Sequence, residues 1–481
     1  MTKVLFINPN KWGRGITHIW ITSHAGILKK NGHSVDLFDA TFYAKNWSIY
    51  ENDYNTGNKQ YKPSPYLSQV KYSESDVYVD LKKKINTYKP DIIFWSAISS
   101  HIHGEGEYVN IENGYVLLEK IKDINAYKIT GGMQATALPE NVFKKLPNID
   151  ILIRGESELV LLEICNKIRD NNNFFDTRGL SFKKNNTIIN NKPQPIISNL
   201  DLISPYDYSL FEKNTFLRPY NGKVLNAVDY EMSRGCIYSC AYCVETVIQK
   251  YYGFNERAKS GAIKNFKNYL RNKSPKIIFQ EIEELHKKYN IELFRMQDTN
   301  FLTIDRKTLI DLSVLISNSN FDIKLYIETR PEGINEKTIN LLKNLRVDGI
   351  GMGIELASEN FREDELNRFA DQDKIIEAFR LLKVHKIKRT AYNVIGFPNQ
   401  KEDSIISTIE FNKLLKPDNI TVAFYSPYQG TDSQINGIKA GIFEDFESNV
   451  DSQLRSVSKD KELSKNKLEY YKSNFVELVA N

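Results

Sequence analysis

With 481 residues of which 41% are hydrophobic, 12% aromatic and 26% charged, the chain has a globular composition, neither disordered nor fibrous. It is too long for one ordinary domain of roughly 100–200 residues. The 65 basic and 60 acidic residues leave a net charge of +5, with lysines scattered among acids, so no nucleic-acid-binding stripe is implied. No run approaches the roughly 18 consecutive apolar residues of a membrane span, and the opening MTKVLFINPN lacks the apolar core of a signal peptide, so a cytoplasmic location is expected.

From the start of the chain, strand-like runs at residues 4–8, 34–39, 91–97, 127–130 and 149–153 alternate with helical patterns at 17–30, 75–88, 111–124, 140–145 and 156–169. Five short apolar strands separated by amphipathic helices predict an α/β domain with a doubly wound, Rossmann-like parallel sheet over residues 1–178. In such sheets ligands sit at the carboxyl ends of the strands. The aperiodic stretch 46–73, rich in Tyr, Asn, Ser and Pro, reads as a loop or lid over that edge. Residues 179–192 read as a hairpin turning at Asn185 and Asn186, and residues 197–220 as a connector, together filling 179–227 between domains.

Further on, strands are expected at 228–232, 292–296, 323–328, 349–354, 389–395 and 421–424, with helices at 275–289, 306–317, 336–345, 374–385 and 402–415. Six β/α units over 228–431 predict a partial (β/α)6 barrel, with chemistry at the C-terminal strand ends. Residues 432–481 form a charged helical extension without a readable motif.

The chain has four cysteines, three of them within eight positions, which is not the spread of a disulfide framework. Cys165, alone in LVLLEICNKI, reads as a small buried hydrophobe. Cys236, Cys240 and Cys243 form C-x-x-x-C-x-x-C directly after a strand. Three thiolates so spaced can hold one face of a 4Fe-4S cubane and leave the fourth iron open, where S-adenosylmethionine (SAM) can bind and be cleaved to a deoxyadenosyl radical. A zinc site, lacking a nearby fourth ligand, and a redox pair at Cys240 and Cys243 are the alternatives.

The segment SRGCIYSCAYC resembles the radical SAM superfamily. That resemblance implies that Tyr242 lies along the adenine of SAM. It also implies that Gln297 and Asp298 in FRMQDTNF, Glu328 and Arg330 in IETRPEGI, and Glu355 in IGMGIELAS hold the rest of it. Gly351 and Gly353 are expected to let the backbone approach the ligand, while GFP at 396–398 and PYQGT at 427–431 serve as turns. GGMQATALPE, RGESELVLLEI and LDLISPYDYSLF extend the resemblance to radical SAM enzymes with an N-terminal cobalamin-binding domain. This implies a corrin site at Gly131, Gly132, Met133 and Gln134, bordered by Ser96, Ser99, Gly155 and Glu156. The cobalt-ligating D-x-H-x-x-G segment is absent and Gln134 stands where relatives carry His. His101 and His103 follow the third strand, either approaching the corrin or facing solvent.

Two such cofactors imply C-methylation of an unactivated carbon of a small-molecule or biosynthetic-intermediate substrate, the deoxyadenosyl radical abstracting hydrogen and methylcobalamin supplying the methyl group. An external electron donor such as flavodoxin or ferredoxin is implied too. With no cysteine after Cys243, and none beside it for a methylcysteine route, multi-cluster and RNA-methylating relatives are excluded. A cobalamin-dependent cyclase or rearrangement enzyme is the rival reading, and a non-catalytic corrinoid and SAM-binding protein a reading of another class.

Overall fold

Short Ile-, Val- and Phe-rich runs form the parallel strands β1 (Lys3–Asn8), β2 (Ser34–Asp39), β3 (Ile92–Trp95), β4 (Tyr127–Thr130) and β5 (Ile151–Ile153). The computed structural model describes residues 1–48, 62–96, 107–121, 124–444, 459 and 463–481. Because β1, β3 and β5 are buried on both faces, their side chains feed two cores. Phe6, Ile92, Phe94, Ile151 and Ile153 pack on one side; Leu5, Ile7, Ile93, Trp95 and Leu152 pack on the other. The parallel order is β2-β1-β3-β4-β5, whose direction switches between β1 and β3, the point where sheets of this kind bind ligands. Helices α1 (Ile19–Lys30), α2 (Met133–Ala137) and α3 (Glu158–Arg169) belong to this half.

The expected hairpin is β6 (Leu180–Lys184) and β7 (Thr187–Asn190), turning through Asn185 and Asn186 at φ 50° and 61°, as a type I′ turn requires. It is not free-standing: β6 pairs antiparallel with β5 and extends the first sheet to seven strands. The connector also differs from expectation. Its last residues are β8 (Leu217–Tyr220), joined to β9 (Lys223–Tyr230) through Asn221 and Gly222 at φ 50° and 81°. The Asn-Gly pair is a strong hairpin signal, overlooked because Pro219 argues against a central strand; β8 is an edge, where proline is tolerated.

The second sheet runs β16-β15-β14-β13-β12-β9-β8. After β9 come β10 (Ser233–Arg234) and β11 (Arg271–Asn272), which pair with each other, then β12 (Leu293–Met296), β13 (Lys324–Thr329), β14 (Val347–Glu355), β15 (Lys388–Ile395) and β16 (Asn419–Phe424). Six parallel strands curl into the expected partial barrel. The helices Pro275–Tyr289, Arg306–Ser317 and Glu402–Leu415 cover the outer face where their periodicity placed them. Helix α4 (Glu245–Tyr251) follows the cysteines and packs against α2 of the first half. At the end of the chain α5 (Lys465–Ala480) lies on β16, burying Leu468 and Phe475 against Ile395 and Val422. Among the described residues no helix is long and apolar enough to cross a membrane.

Candidate functional site

Between β9 and α4 the chain makes the loop that carries the three cysteines, and its backbone is held both by side chains and by other backbone, the Ser239 amide donating to the Gly261 carbonyl at 3.0 Å and the Ala241 amide to the Leu366 carbonyl at 2.8 Å. Asp298, at the end of β12, accepts from the Met232 amide at 3.0 Å and from the Ser233 amide and hydroxyl at 2.6 Å, pinning the loop's entrance with one carboxylate oxygen. The Cys236 amide donates to Glu245 Oε1 at 3.1 Å, and Gln249 Nε2 donates to the carbonyls of Cys236 and Tyr238 at 3.0 and 2.9 Å. Asn367 holds the Ser239 carbonyl at 2.7 Å. Cys236 and Cys240 are buried and Cys243 half-buried. Burial, reinforced by Glu245, pushes the Cys236 thiol up to about 12; burial, then Cys240, pushes Cys243 up as well. Ligation therefore has to displace protons. Among the described residues no three His, Cys, Asp or Glu side chains converge on a single-ion position; the thiolates of a cubane each bind a different iron and have no need to converge.

The expected SAM residues separate into four groups. Tyr242 comes together with Glu355: its ring packs on Phe397 at 5.4 Å, and Glu355 and Arg368 stand beside its phenol, Arg368 Nη2 being 3.8 Å from the Glu355 carboxylate. Glu355 sits at φ 61° at the end of β14, a left-handed conformation that costs a non-glycine residue energy and persists mainly at functional sites. Arg330 lies across the loop, its guanidinium 3.7 Å from the Tyr238 ring centre and bonded to Glu332. Glu328 is placed deeper in the barrel, accepting from Tyr392 at 3.1 Å. Gln297 and Asp298 are engaged by protein, Gln297 Nε2 donating to Asp229 at 2.8 Å. Buried Asp298 Oδ2 and Arg330 Nη1 have no protein partner, and buried polar atoms of this kind are satisfied by a ligand or water. The donor set thus fits a cubane with a polar ligand beside it.

The glycines of β14 make room for neighbouring side chains. A Cβ on Gly351 would stand 2.4 Å from the Tyr392 hydroxyl, and one on Gly353 would stand 2.3 Å from Glu355 Oε1. The GFP turn does more than expected: Gly396 and Phe397 amides bind Gln400, and the Phe397 ring backs Tyr242.

At the first sheet, Gly132 adopts φ 96° and ψ −166° at the N-terminus of α2, a region that is essentially glycine-only, so the β4 turn carries no side chain there. Ser96, at the end of β3, sits at φ 58° and its carbonyl accepts from Gly131 at 3.0 Å. A turn without side chains at the end of β4, one strand from the β1–β3 switch point, fits a flat ligand. Several expected corrin contacts are used otherwise. The Glu156 carboxylate is buried and bound by Arg271 Nη1 at 2.8 and 2.9 Å. Gly155 packs under the Tyr252 ring, where a Cβ would stand 2.4 Å from the hydroxyl, and Met133 joins an apolar cluster with Val244, Val247 and Tyr269. These three residues dock the first half on the second. Gln134 is buried on α2; Ser99, His101 and His103 lie outside the described residues. Tyr251 and Tyr252, at the end of α4, belong to the same interface. In the 46–73 segment, Tyr72 donates to the Gly13 carbonyl at 2.5 Å and the Lys71 carbonyl accepts from Asn214 at 2.9 Å, tying the loop after β1 to the connector.

Sequence reasoning missed Arg234, whose guanidinium binds Glu158 at 2.6 Å and Glu231 at 2.7 Å, all three buried. It also missed Glu245, Gln249 and Arg368. Glu245 and Gln249 stand four apart on one helix face immediately after the last cysteine, a spacing that was legible; the partners of Arg234 and Arg368 are made only by the tertiary fold.

A cysteine loop at the first strand end of a partial barrel, backed by an aromatic rim, defines the radical SAM class. The family described as the Radical SAM superfamily matches residues 230–411, and over that span the chain is a radical SAM domain. The chain is 26% identical over 379 residues to an uncharacterized methyltransferase of Pyrococcus horikoshii, covering 76% of each. It is also 26% identical over 463 residues to the anaerobic magnesium-protoporphyrin IX monomethyl ester cyclase of Rubrivivax gelatinosus, covering 92% of this chain and 72% of the cyclase. Among solved structures, the cobalamin-dependent S-adenosylmethionine radical enzyme OxsB, with aqua-cobalamin and S-adenosylmethionine bound, superposes with a TM-score of 0.69. The superposition covers 99% of this chain and 67% of that one at 14% identity, a likeness of fold spanning both halves.

Proposed function

We propose that the chain is a cobalamin-dependent radical SAM methyltransferase acting on an unactivated carbon of a small-molecule substrate. The observation that carries this reading is a contact between the two halves: α2, which follows the glycine turn at the end of β4, packs on α4, which follows the cysteine loop. When bound, the cluster supplies an electron to cleave SAM and the corrin supplies a methyl group.

The residues of this chain have separable tasks. Cys236, Cys240 and Cys243 hold the cluster. Tyr242, braced by Phe397, offers a flat face to the adenine. Glu355, Glu328 and Arg330 receive the ribose and methionyl groups, Arg330 Nη1 being the unengaged donor suited to the carboxylate. Asp298 orients the loop. Gly132, Gln134 and Ser96 border the corrin, and an external reductant such as flavodoxin or ferredoxin supplies the electron.

The likeness to the cyclase over almost the whole chain supports a second reading, in which the radical is consumed without methyl transfer. One experiment separates them: reconstituted enzyme is incubated anaerobically with a reductant, candidate substrate and SAM labelled in its methyl group. The methyltransferase reading expects label in the product and S-adenosylhomocysteine alongside deoxyadenosine. Product formed with deoxyadenosine alone and no label excludes it in favour of the cyclase.

A further inference from the structure

A run of buried hydrogen bonds, carried covalently from Gly155 to Glu156 and through Tyr269, joins the β4 turn of the first sheet to the first cysteine of the second half, and the reaction assigned above makes no use of it. It starts at Gly132, whose carbonyl accepts from Thr136 Oγ1 at 2.8 Å; Thr136 Oγ1 accepts in turn from the Gly155 amide at 2.9 Å. The next residue, Glu156, receives Arg271 Nη1 on both oxygens at 2.8 and 2.9 Å, and Arg271 Nε donates to the Tyr269 carbonyl at 2.9 Å. The Tyr269 hydroxyl then donates to Glu245 Oε1 at 2.6 Å, and that same oxygen accepts the Cys236 amide at 3.1 Å. The side chains of Thr136, Glu156, Arg271, Tyr269, Glu245 and Cys236 are each no more than 8% exposed.

Burial matters because no water stands ready to absorb a displacement, and hydrogen bonds among charged groups strengthen at low dielectric. The far end is also gripped on both sides. Glu245 takes the Cys236 amide while Gln249, one turn later on α4, donates to the Cys236 carbonyl at 3.0 Å. A shift of α4 or of the Glu245 carboxylate therefore reorients the peptide of a cluster ligand, and hydrogen bonds around the thiolates are among the determinants of a cluster's reduction potential.

We propose that this chain couples the two strand-end sites, so that a corrin lying against the Gly132 turn changes the reduction potential of the cluster held by Cys236, with Glu245 and Gln249 as positioning residues. The inference rests on the cobalamin reading above. Coupling is reciprocal, so the reduced and oxidised cluster also differ in their effect on corrin affinity.

The test is a redox titration of the reconstituted full-length protein, followed by the electron paramagnetic resonance signal of the reduced cluster, with and without hydroxocobalamin. The wild type is expected to retain hydroxocobalamin through gel filtration and to show a displaced midpoint. A tenfold affinity difference corresponds to about 59 mV for one electron. Tyr269→Phe cuts the run at one hydroxyl while leaving the ring among Met133, Val244 and Val247, and Arg271→Lys cuts it one link away. Both variants are expected to load the cluster and retain hydroxocobalamin while losing at least half of the displacement. A displacement undiminished in either variant overturns the coupling, as does retention without any displacement in the wild type. Failure of the wild type to retain hydroxocobalamin overturns the cobalamin reading and the coupling with it.

Discussion

Glu355 shows how a single residue's chemistry depends on its neighbours: the carboxylate at φ 61° fits only because the residue two before it lacks a side chain. Gly353→Ala is expected to fold normally but to push Glu355 off Arg368. SAM affinity should then fall about tenfold or more, the scale of one hydrogen bond to a charged group at about 1.5–3 kcal/mol. Equilibrium binding of SAM measures it, and unchanged affinity removes Glu355 from the site. A second residue contributes to acid sensitivity. His24 is fully buried between Phe6, Trp20 and Phe94, bonded through Nδ1 to the Trp20 carbonyl at 2.6 Å and through Nε2 to the Ser157 hydroxyl at 2.9 Å. Burial holds its pKa below the usual 6.5, with Glu158 opposing and Arg234 assisting. The unfolded chain then binds the proton first. Stability is expected to fall by about 1.4 kcal/mol per pH unit below the free-imidazole value until the folded pKa is reached. Urea titrations of wild type and His24→Phe between pH 5 and pH 8, values chosen to bracket the free-imidazole range of roughly 6.5, test this; parallel slopes in the two proteins refute it.

At the scale of elements, the contact between α3 and the strand β10 is decided by one guanidinium. Arg234 neutralises Glu158 at 2.6 Å and Glu231 at 2.7 Å inside the protein, with Glu156 at 3.5 Å. Removing one member of a buried ionic cluster leaves charges unpaired, so Arg234→Met is expected to cost about 3–5 kcal/mol, read as a lowered denaturation midpoint. A loss under about 1 kcal/mol, the worth of an exposed pair, shows that the cluster is not what docks α3. The cysteine loop obeys the same logic. Its motif was legible as spacing, yet the groups that shape it, Asp298 from β12 and Glu245 and Gln249 from α4, act through contacts that spacing does not encode.

For the whole molecule, one apolar core runs through both sheets. Val4, Phe6 and Ile151 of the first belong to the same cluster as Val228, Phe294 and Ile350 of the second, with Ile203, Tyr206 and Tyr208 of the connector between them. The segment read as a mere linker is thus core. A shared core makes the halves interdependent, so chemical denaturation followed by far-ultraviolet circular dichroism and by tryptophan fluorescence is expected to give coincident single transitions. Trp20 and Trp95 lie in the first half, so a fluorescence transition well separated from the dichroism transition counts against interdependence.

The sequence by itself determined the two α/β halves, the places of the helices, and the cysteine triad, because periodicity, turn chemistry and ligand spacing are local properties carried by neighbouring residues. Helices Pro275–Tyr289, Arg306–Ser317 and Glu402–Leu415 came out at their expected bounds for that reason. Only the tertiary structure decided what the polar residues near the motifs do. Glu156 and Gly155, read as ligand contacts, form the interface with Arg271 and Tyr252 instead, since a buried carboxylate needs an ionic partner and that partner lies more than a hundred residues away. The triad therefore announced a cluster, while the long-range pairs decided how the loop holding it is braced against the rest of the molecule.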